Sequence, residues 1–322
     1  MNPDNLTPPE DEFLAVDPRH IELIDQRPPS MRQTAPRPSS PPRFRGRRGL
    51  PLFLFIATCA STFLSGMSLT PGPDEQPPLW DLLRSGALYS VALMSILMAH
   101  EMGHYLQARR YRVPATLPYF IPFPLSPIGT MGAVIVQGAG VADRKSMFDI
   151  AISGPLAGLV LALPAAWFGL EHAQIVPKAV NSDGFHFGVP LIVQWMGQHL
   201  IGSIPAGYEI QLNPLLFAGW VGIFITALNL IPIGQLDGGH ILYTLLGRRA
   251  HAVAVLLLLA AVGYMAYTGN YSYGLMVFLL LMMGPRHPPT ADDSVPLGWF
   301  RIALGWLTLG FIFIGFTPTP IV

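Results

Sequence analysis

HEMGH at residues 100–104 lies near the end of a long apolar run that begins around Gly86. On an α-helix, positions i and i+4 share one face, so His100 and His104 can bind one metal ion. Glu101 then reaches a water molecule beside that ion, which is the pattern of zinc hydrolases. Because a charged carboxylate inside a membrane span costs about 2.5–3.5 kcal/mol, an intramembrane Glu101 indicates a functional site.

The composition around this stretch is typical of a membrane protein. The 322 residues are 51% hydrophobic and 12% charged, whereas roughly 25% of the residues in a soluble domain are charged. Apolar runs of about 20 residues, long enough to cross a bilayer, predict an all-α multi-pass protein with about seven transmembrane helices. They are expected at residues 49–68, 86–107, 146–169, 213–233, 250–268, 271–284 and 298–316.

The basic residues predict the orientation of these spans. If the spans alternate in direction, nearly all basic clusters fall on one side, which the positive-inside rule assigns to the cytoplasm. The N-terminus is then cytoplasmic, and His100 and His104 lie toward the cytoplasmic end of the second span. We expect an integral protein of the bacterial cytoplasmic membrane. The clusters are Arg43 to Arg48, Arg109/Arg110/Arg112, Arg144/Lys145, Arg248/Arg249 and Arg286.

The predicted spans divide the chain into four regions. Residues 1–48, rich in Pro, Arg and Ser, are expected to form a disordered cytoplasmic tail. Residues 49–85 hold the first span, which stays as a membrane anchor, and an extracytoplasmic loop. Residues 86–247 contain HEMGH and are expected to form the core around it, and residues 248–322 are expected to hold the C-terminal transmembrane helices. Cys59 is the single cysteine, which excludes an internal disulfide framework.

Two connections inside the core carry further predictions. Residues 114–140 contain β-like patches at 117–123 and 133–136, which predict a small membrane-associated β-hairpin beside the site, because unpaired backbone cannot face lipid. The extracytoplasmic loop 170–212 carries three histidines whose irregular spacing favours surface positions over a metal site. They are His172, His186 and His199.

The fourth span ends in NLIPIGQLDGGH at residues 229–240. Proline and glycine break the helix there and place Asp237 at a depth similar to that of His104, because the second and fourth spans run in the same direction. A catalytic Zn²⁺ takes three protein ligands, often two histidines and one carboxylate, so Asp237 is the candidate third ligand. Glu101 then remains free as the general base. Asn229 is a candidate donor to a peptide carbonyl or oxyanion.

These two motifs resemble the signature motifs of the site-2 protease family of intramembrane zinc metalloproteases, HExxH and NxxPxxxLDGG, in their usual order. The Gly154-Pro155 stretch resembles the middle core helix of that family, so the likeness covers residues 86–247. It implies a three-helix catalytic core that binds Zn²⁺ through His100, His104 and Asp237. The implied substrates are single-span membrane proteins, such as membrane-tethered transcription regulators or anti-sigma factors, cleaved within the bilayer.

Three further interpretations follow from the same residues. A substrate helix must unwind before cleavage, and we expect the strand at residues 132–136 to pair with it. The small residues 154–158 favour close helix packing over direct chemistry. The alternatives to a protease are a metal transporter, which usually shows two repeated halves, and a scaffolding relative without catalysis, in which a site residue should be missing. Neither feature is visible in the sequence, and no nucleic-acid partner is expected.

Overall fold

A computed structural model describes residues 49–69, 77–138, 140–177 and 188–317. The predicted tail 1–48 and His186 lie outside the described residues. The helices are α1 (Gly49–Met67), α2 (Leu79–Arg110), α3 (Arg144–Glu171), α4 (Leu191–Leu200), α5 (Pro214–Asn229), α6 (Asp237–Leu246), α7 (Ala250–Thr268), α8 (Gly274–Met283), α9 (Trp299–Gly310) and α10 (Ile312–Gly315). The strands are β1 (Tyr119–Phe123), β2 (Gly129–Val134), β3 (Ile175–Pro177) and β4 (Tyr208–Ile210).

Local sequence signals account for the starts of the core helices. The Asp143 side chain accepts a 2.7 Å hydrogen bond from the backbone N–H of Ser146 at the start of α3. Asn213 caps α5 in the same way, through Leu216, and proline occupies the first position of that helix. Both arrangements satisfy backbone donors that the first turn of a helix leaves unpaired.

Four helical stretches in the described residues are long and apolar enough to cross a membrane: Gly49–Met67, Leu79–Arg110, Arg144–Glu171 and Asp237–Thr268. The fourth joins α6 to α7 through a short 3₁₀ turn at Gly247–Arg249. The apolar helices at Pro214–Asn229, Gly274–Met283 and Trp299–Gly315 are shorter. The chain is therefore mostly helical, as predicted, but the number of seven spans is not confirmed.

Helices α2, α3 and α5 pack against one another and form a three-helix core. Tyr89 of α2 stacks on Phe217 of α5, with ring centroids 5.2 Å apart. A Cβ atom added at Gly219 would lie 2.3 Å from the backbone nitrogen of Ala166, so α5 and α3 approach closely at this point. Such close contact between helices is typical of small residues in membrane proteins.

The β-hairpin predicted between residues 114 and 140 is confirmed. Strands β1 and β2 are antiparallel, with an irregularity in register between Phe120 and Pro122. The turn of the hairpin is attached to α1 and α2, since Ser61 donates a 2.6 Å hydrogen bond to the carbonyl of Gly129 and the Tyr89 hydroxyl donates a 2.8 Å bond to Ile128. The hairpin is thus packed against helices at its turn.

The predicted loop 170–212 is more structured than expected. Its described residues include α4 and the antiparallel pair of β3 with β4, in which Ile175 lies opposite Ile210. Strands of three residues are too short to show an alternating pattern in sequence, so no local signal indicated them.

Candidate metal centre

His100 and His104 lie one turn apart on α2 and are both buried, with 4% of their surface exposed. Their Nε2 atoms are 3.3 Å apart. The i, i+4 spacing therefore brings the same nitrogen of each ring to one point on the helix surface, as the sequence predicted.

Asp237 reaches the same point from another part of the chain. Helix α5 ends at Asn229, the chain turns over residues 230–236, and α6 begins at Asp237. The two carboxylate oxygens of Asp237 lie 3.1 Å from Nε2 of His100 and 3.2 Å from Nε2 of His104. These three residues are the group in the described part of the chain whose side chains could hold a metal ion.

The spacing of the three side chains fits a tetrahedral zinc ion. Bonds of about 2.0–2.1 Å in a tetrahedral site put neighbouring ligand atoms roughly 3.3–3.4 Å apart. The two Nε2 atoms are 3.3 Å apart, and each lies 3.1–3.2 Å from a different carboxylate oxygen of Asp237. With one ligand atom taken from each residue, all three atoms lie within 4.8 Å of one another. Two imidazoles and one carboxylate are also a ligand set of catalytic zinc sites, which keep a further position for water.

The imidazole of His104 is held in a fixed orientation by α3. Its Nδ1 atom donates a 2.8 Å hydrogen bond to the backbone carbonyl of Ile150, which leaves the lone pair of Nε2 for a metal. A Cβ atom at Gly154 would lie 2.1 Å from that Nε2 atom. Gly154 is therefore a packing residue, as predicted, but the group it packs against is a candidate ligand.

The three side chains line a cavity of about 420 Å³ together with Glu101 and Asn229. Residues 133–137, which comprise the end of strand β2 and the three residues after it, also line the cavity. Glu101 is 5% exposed and is the acid nearest in sequence to both histidines. A hydrogen-bond donor, a carboxylate and residues of the hairpin thus line one cavity with the three candidate ligands, an arrangement suited to hydrolysis of a peptide bond.

The sequence analysis missed other residues of this cavity. Gln235 and His240 line it, and His240 contacts His287, which lies in the loop after α8. The spacing of a histidine at the third position after Asp237 on a helix was a signal for His240, because residues three apart share a face. His287 gave no such signal, since its partner lies far away in the sequence.

Of the three histidines predicted to be surface residues, the two in the described part of the chain, His172 and His199, do not line the cavity. His172 bonds to the carbonyl of Phe168, and His199 stacks on Trp195 with ring centroids 5.9 Å apart. A larger cavity of about 780 Å³ lies beside α4 and β4, and neither the three candidate ligands nor Glu101 line it. Size alone does not identify the functional cavity in this molecule.

Comparison with known proteins finds a matching family model and several similar proteins. The family model described as Peptidase family M50 matches residues 88–267, which include both motifs and the third helix of the core. A probable zinc metalloprotease named EGY1, chloroplastic, from Oryza sativa subsp. japonica is 30% identical over 251 residues, and the alignment covers 76% of this chain. EGY2, chloroplastic, from Arabidopsis thaliana, also named a probable zinc metalloprotease, is 29% identical over 242 residues, or 74% of this chain.

The alignments cover 42% of that EGY1 protein and 43% of that EGY2 protein, so the chain spans less than half the length of these relatives. Both relatives carry the word chloroplastic in their names. The comparisons therefore give no support to the predicted bacterial cytoplasmic membrane. Association with a membrane does agree with the apolar helices of the structure.

Proposed function

Because the chain belongs to peptidase family M50, the site-2 protease family, we propose that it is an intramembrane zinc metalloprotease. The observation that carries the proposal is the cluster of His100, His104 and Asp237, whose ligand atoms lie within 4.8 Å of one another and which lines one cavity with Glu101. The proposed reaction is hydrolysis of a peptide bond within or near a membrane-spanning segment.

The protein residues divide the chemistry between them. Zinc, when bound by His100, His104 and Asp237, supplies a Lewis acid that makes water nucleophilic near neutral pH. Glu101 accepts a proton from the attacking water and then donates it to the leaving amine of the substrate. Asn229 donates a hydrogen bond to the oxygen of the scissile carbonyl and so stabilises the charge that develops there.

The proposed substrates are single-span membrane proteins, including membrane-tethered regulators, whose helix unwinds at the site. Residues 133–137 support this proposal because they line the same cavity as the candidate ligands. The carbonyl oxygen of Val136 accepts a 3.0 Å hydrogen bond from the backbone N–H of Thr116, and the backbone N–H of Val136 donates a hydrogen bond to the Thr116 hydroxyl. The bridge between Ala115 and Gln137 continues the antiparallel pairing beyond β2. Backbone groups alternate in direction along extended chain, so we infer that those of Ile135 point to the opposite edge, where an unwound substrate can pair.

The test of hydrolysis is the substitution Glu101→Gln, which keeps the size of the side chain and removes its basic function. Wild type and variant are co-expressed with tagged single-span membrane proteins, and the cleavage products are compared. We expect a loss of about 10²–10⁴-fold in cleavage rate, with bound zinc retained. Equal processing by both proteins would contradict the proposal.

The substitution Ile135→Pro tests the pairing of substrate with the hairpin. It removes one N–H group from the proposed edge, whereas Ile135→Ala is the matched control that keeps the N–H. We expect cleavage to fall only in the proline variant, with zinc content unchanged in both. Normal cleavage by a zinc-loaded Ile135→Pro protein would exclude this mode of substrate binding.

A further inference from the structure

The segment after α8, residues 284–310, lies outside residues 88–267, which match the family model. Nevertheless it contacts two of the elements that build the metal centre. Arg301 of α9 binds α3, and His287 and Asp293 of the preceding loop bind α6. We propose that this C-terminal segment is a positioning element that holds α3 and α6 at the distance required for zinc coordination.

The contact with α3 is a two-point ion pair in which the carboxylate is buried and the guanidinium is partly exposed. The guanidinium of Arg301 donates hydrogen bonds of 2.7 and 2.9 Å to the two carboxylate oxygens of Asp149. The hydroxyl of Tyr111, just after α2, donates to the same carboxylate. Asp149 is 9% exposed, and a two-point pair between Arg and a carboxylate fixes orientation as well as distance.

This ion pair acts next to a contact of the metal centre. Asp149 directly precedes Ile150, whose carbonyl oxygen accepts the 2.8 Å hydrogen bond from Nδ1 of His104. A shift of α3 at Asp149 therefore moves the group that orients the His104 ring. Groups that orient metal ligands typically change metal affinity or activity by about 10–100-fold when they are altered.

The contact with α6 lies one turn beyond Asp237. His287 is 5% exposed, and its Nε2 atom is in hydrogen-bonding contact with Nδ1 of His240. The ring of Tyr243 stacks on His287 with centroids 4.4 Å apart, and the Tyr243 hydroxyl donates a 2.9 Å bond to Asp293. The loop thus holds the first two turns of the helix that begins with the candidate ligand Asp237.

The same loop also forms hydrogen bonds with the chain at the start of α3. The backbone N–H of Arg144 donates to the carbonyl of Asp292 at 3.1 Å, and the N–H of Ala291 donates to Ala142 at 2.8 Å. The Arg144 side chain in turn donates a 2.7 Å bond to the carbonyl of Thr244 in α6. Helices α3 and α6 are therefore linked both directly and through the loop.

The test compares zinc affinity of the full chain in detergent, measured by competition with a chelator, between Arg301→Met and Arg301→Lys. We expect about tenfold weaker zinc binding for Arg301→Met, and a smaller loss for Arg301→Lys, which keeps the charge but not the two-point geometry. Arg286→Met is the matched control, because Arg286 is an exposed residue of the same segment. It should bind zinc as the wild type does.

The second variant is His287→Phe, which keeps the stacking on Tyr243 and removes the contact with His240. We again expect about tenfold weaker zinc binding. His199→Phe is the matched control, because His199 is an exposed residue of α4. Bound Co²⁺ gives an independent measure, because its visible absorption reports ligand geometry. The spectrum should change in Arg301→Met and His287→Phe and stay constant in both controls.

Kinetics distinguish positioning from general loss of structure. With zinc at saturation, kcat should fall in Arg301→Met and His287→Phe while KM stays near the wild-type value, because neither residue lies at the proposed strand edge. If Arg301→Met does not fold, Arg301→Lys decides: wild-type zinc affinity overturns the proposal, and weaker affinity supports it.

The inference rests on the proposed function, but the two can fail separately. A wild-type protein that binds no zinc would contradict the proposed function itself. A wild-type protein that binds zinc, together with folded variants that match it in zinc affinity, Co²⁺ spectrum and kcat, would overturn only the positioning role of the C-terminal segment.

Discussion

Two glycine-rich stretches border the metal centre, and they make room for different kinds of group. The first is residues 154–158 of α3. A Cβ atom at Gly154 would lie 2.1 Å from Nε2 of His104, and one at Gly158 would lie 3.1 Å from Nδ1 of His100. Both glycines leave space for the imidazole rings of candidate ligands.

The second stretch is residues 234–239, at the turn into α6. A Cβ atom at Gly238 would lie 1.8 Å from the carbonyl oxygen of Leu230, and one at Gly239 would lie 2.4 Å from the carbonyl oxygen of Gly234. Gly234 also has a positive φ of 59°, a conformation that L side chains rarely adopt. Gly238 and Gly239 therefore leave space for the backbone of their own turn.

The two stretches should therefore respond differently to an added methyl group, one in metal binding and the other in folding. An imidazole ring can rotate away from an added methyl group, so the fold survives, but the rotation removes the nitrogen from the metal. A backbone carbonyl in a tight turn has no such freedom, so an added methyl group displaces the whole turn and Asp237 with it. Substitutions in the first stretch should therefore reduce metal binding, and those in the second should reduce stability as well.

The largest effect is expected for Gly238→Ala. Forcing extra volume into a packed site costs about 1–3 kcal/mol and sometimes more, and the overlap here is with backbone. We expect little folded protein in detergent, a lower midpoint of thermal unfolding and no zinc binding. Size-exclusion chromatography and thermal unfolding measure the first two.

The matched control for that change is Gly263→Ala in α7, where an added Cβ atom meets nothing within 4 Å. Alanine is favoured over glycine in a helix by up to about 1 kcal/mol, so this variant should be as stable as the wild type or slightly more so. A Gly238→Ala protein with normal thermal stability would remove the distinction between the two stretches.

A large but more selective effect is expected for Gly154→Ala. The added methyl group overlaps the ring of His104 and not the backbone, so the variant should fold. Its midpoint of thermal unfolding should lie near that of the wild-type protein without metal. Zinc affinity should fall by about 100-fold, the upper end for changes that disturb ligand orientation. Chelator competition measures the affinity, and normal zinc binding by this variant would contradict the observed packing of His104.

The same comparison shows what the sequence alone can predict. His100, His104 and Asp237 were predictable as one set because a helical spacing and a broken span are local patterns. The carbonyl of Ile150 was not, since any residue type supplies the same backbone group. The roles of the glycines could not be predicted either, because the sequence does not show whether a side-chain ring or a backbone carbonyl lies next to each glycine.

Long-range contacts and short elements account for the other differences in the fold. The pairing of His287 with His240 joins residues far apart in the sequence, and neither has a local pattern that names the other. The three-residue strands β3 and β4 fall below the length at which alternation is visible. Apolar runs predicted seven spans, but a run does not show where a helix ends: α5 ends at Asn229, before Pro232.

The smallest effect is expected for Gly158→Ala, which sharpens the comparison within the first stretch. Its added Cβ atom would lie 3.1 Å from Nδ1 of His100, a tight contact that a shift of a few tenths of an ångström relieves. We expect normal stability and zinc affinity lowered by about tenfold or less, measured by the same chelator competition. Because Nδ1 is not the nitrogen that faces Asp237, a small movement of the ring leaves Nε2 close to its position. If Gly158→Ala loses more zinc affinity than Gly154→Ala, the positions of the two rings relative to α3 are wrong. The distinction between a ring that can rotate and a turn that cannot move would then fail.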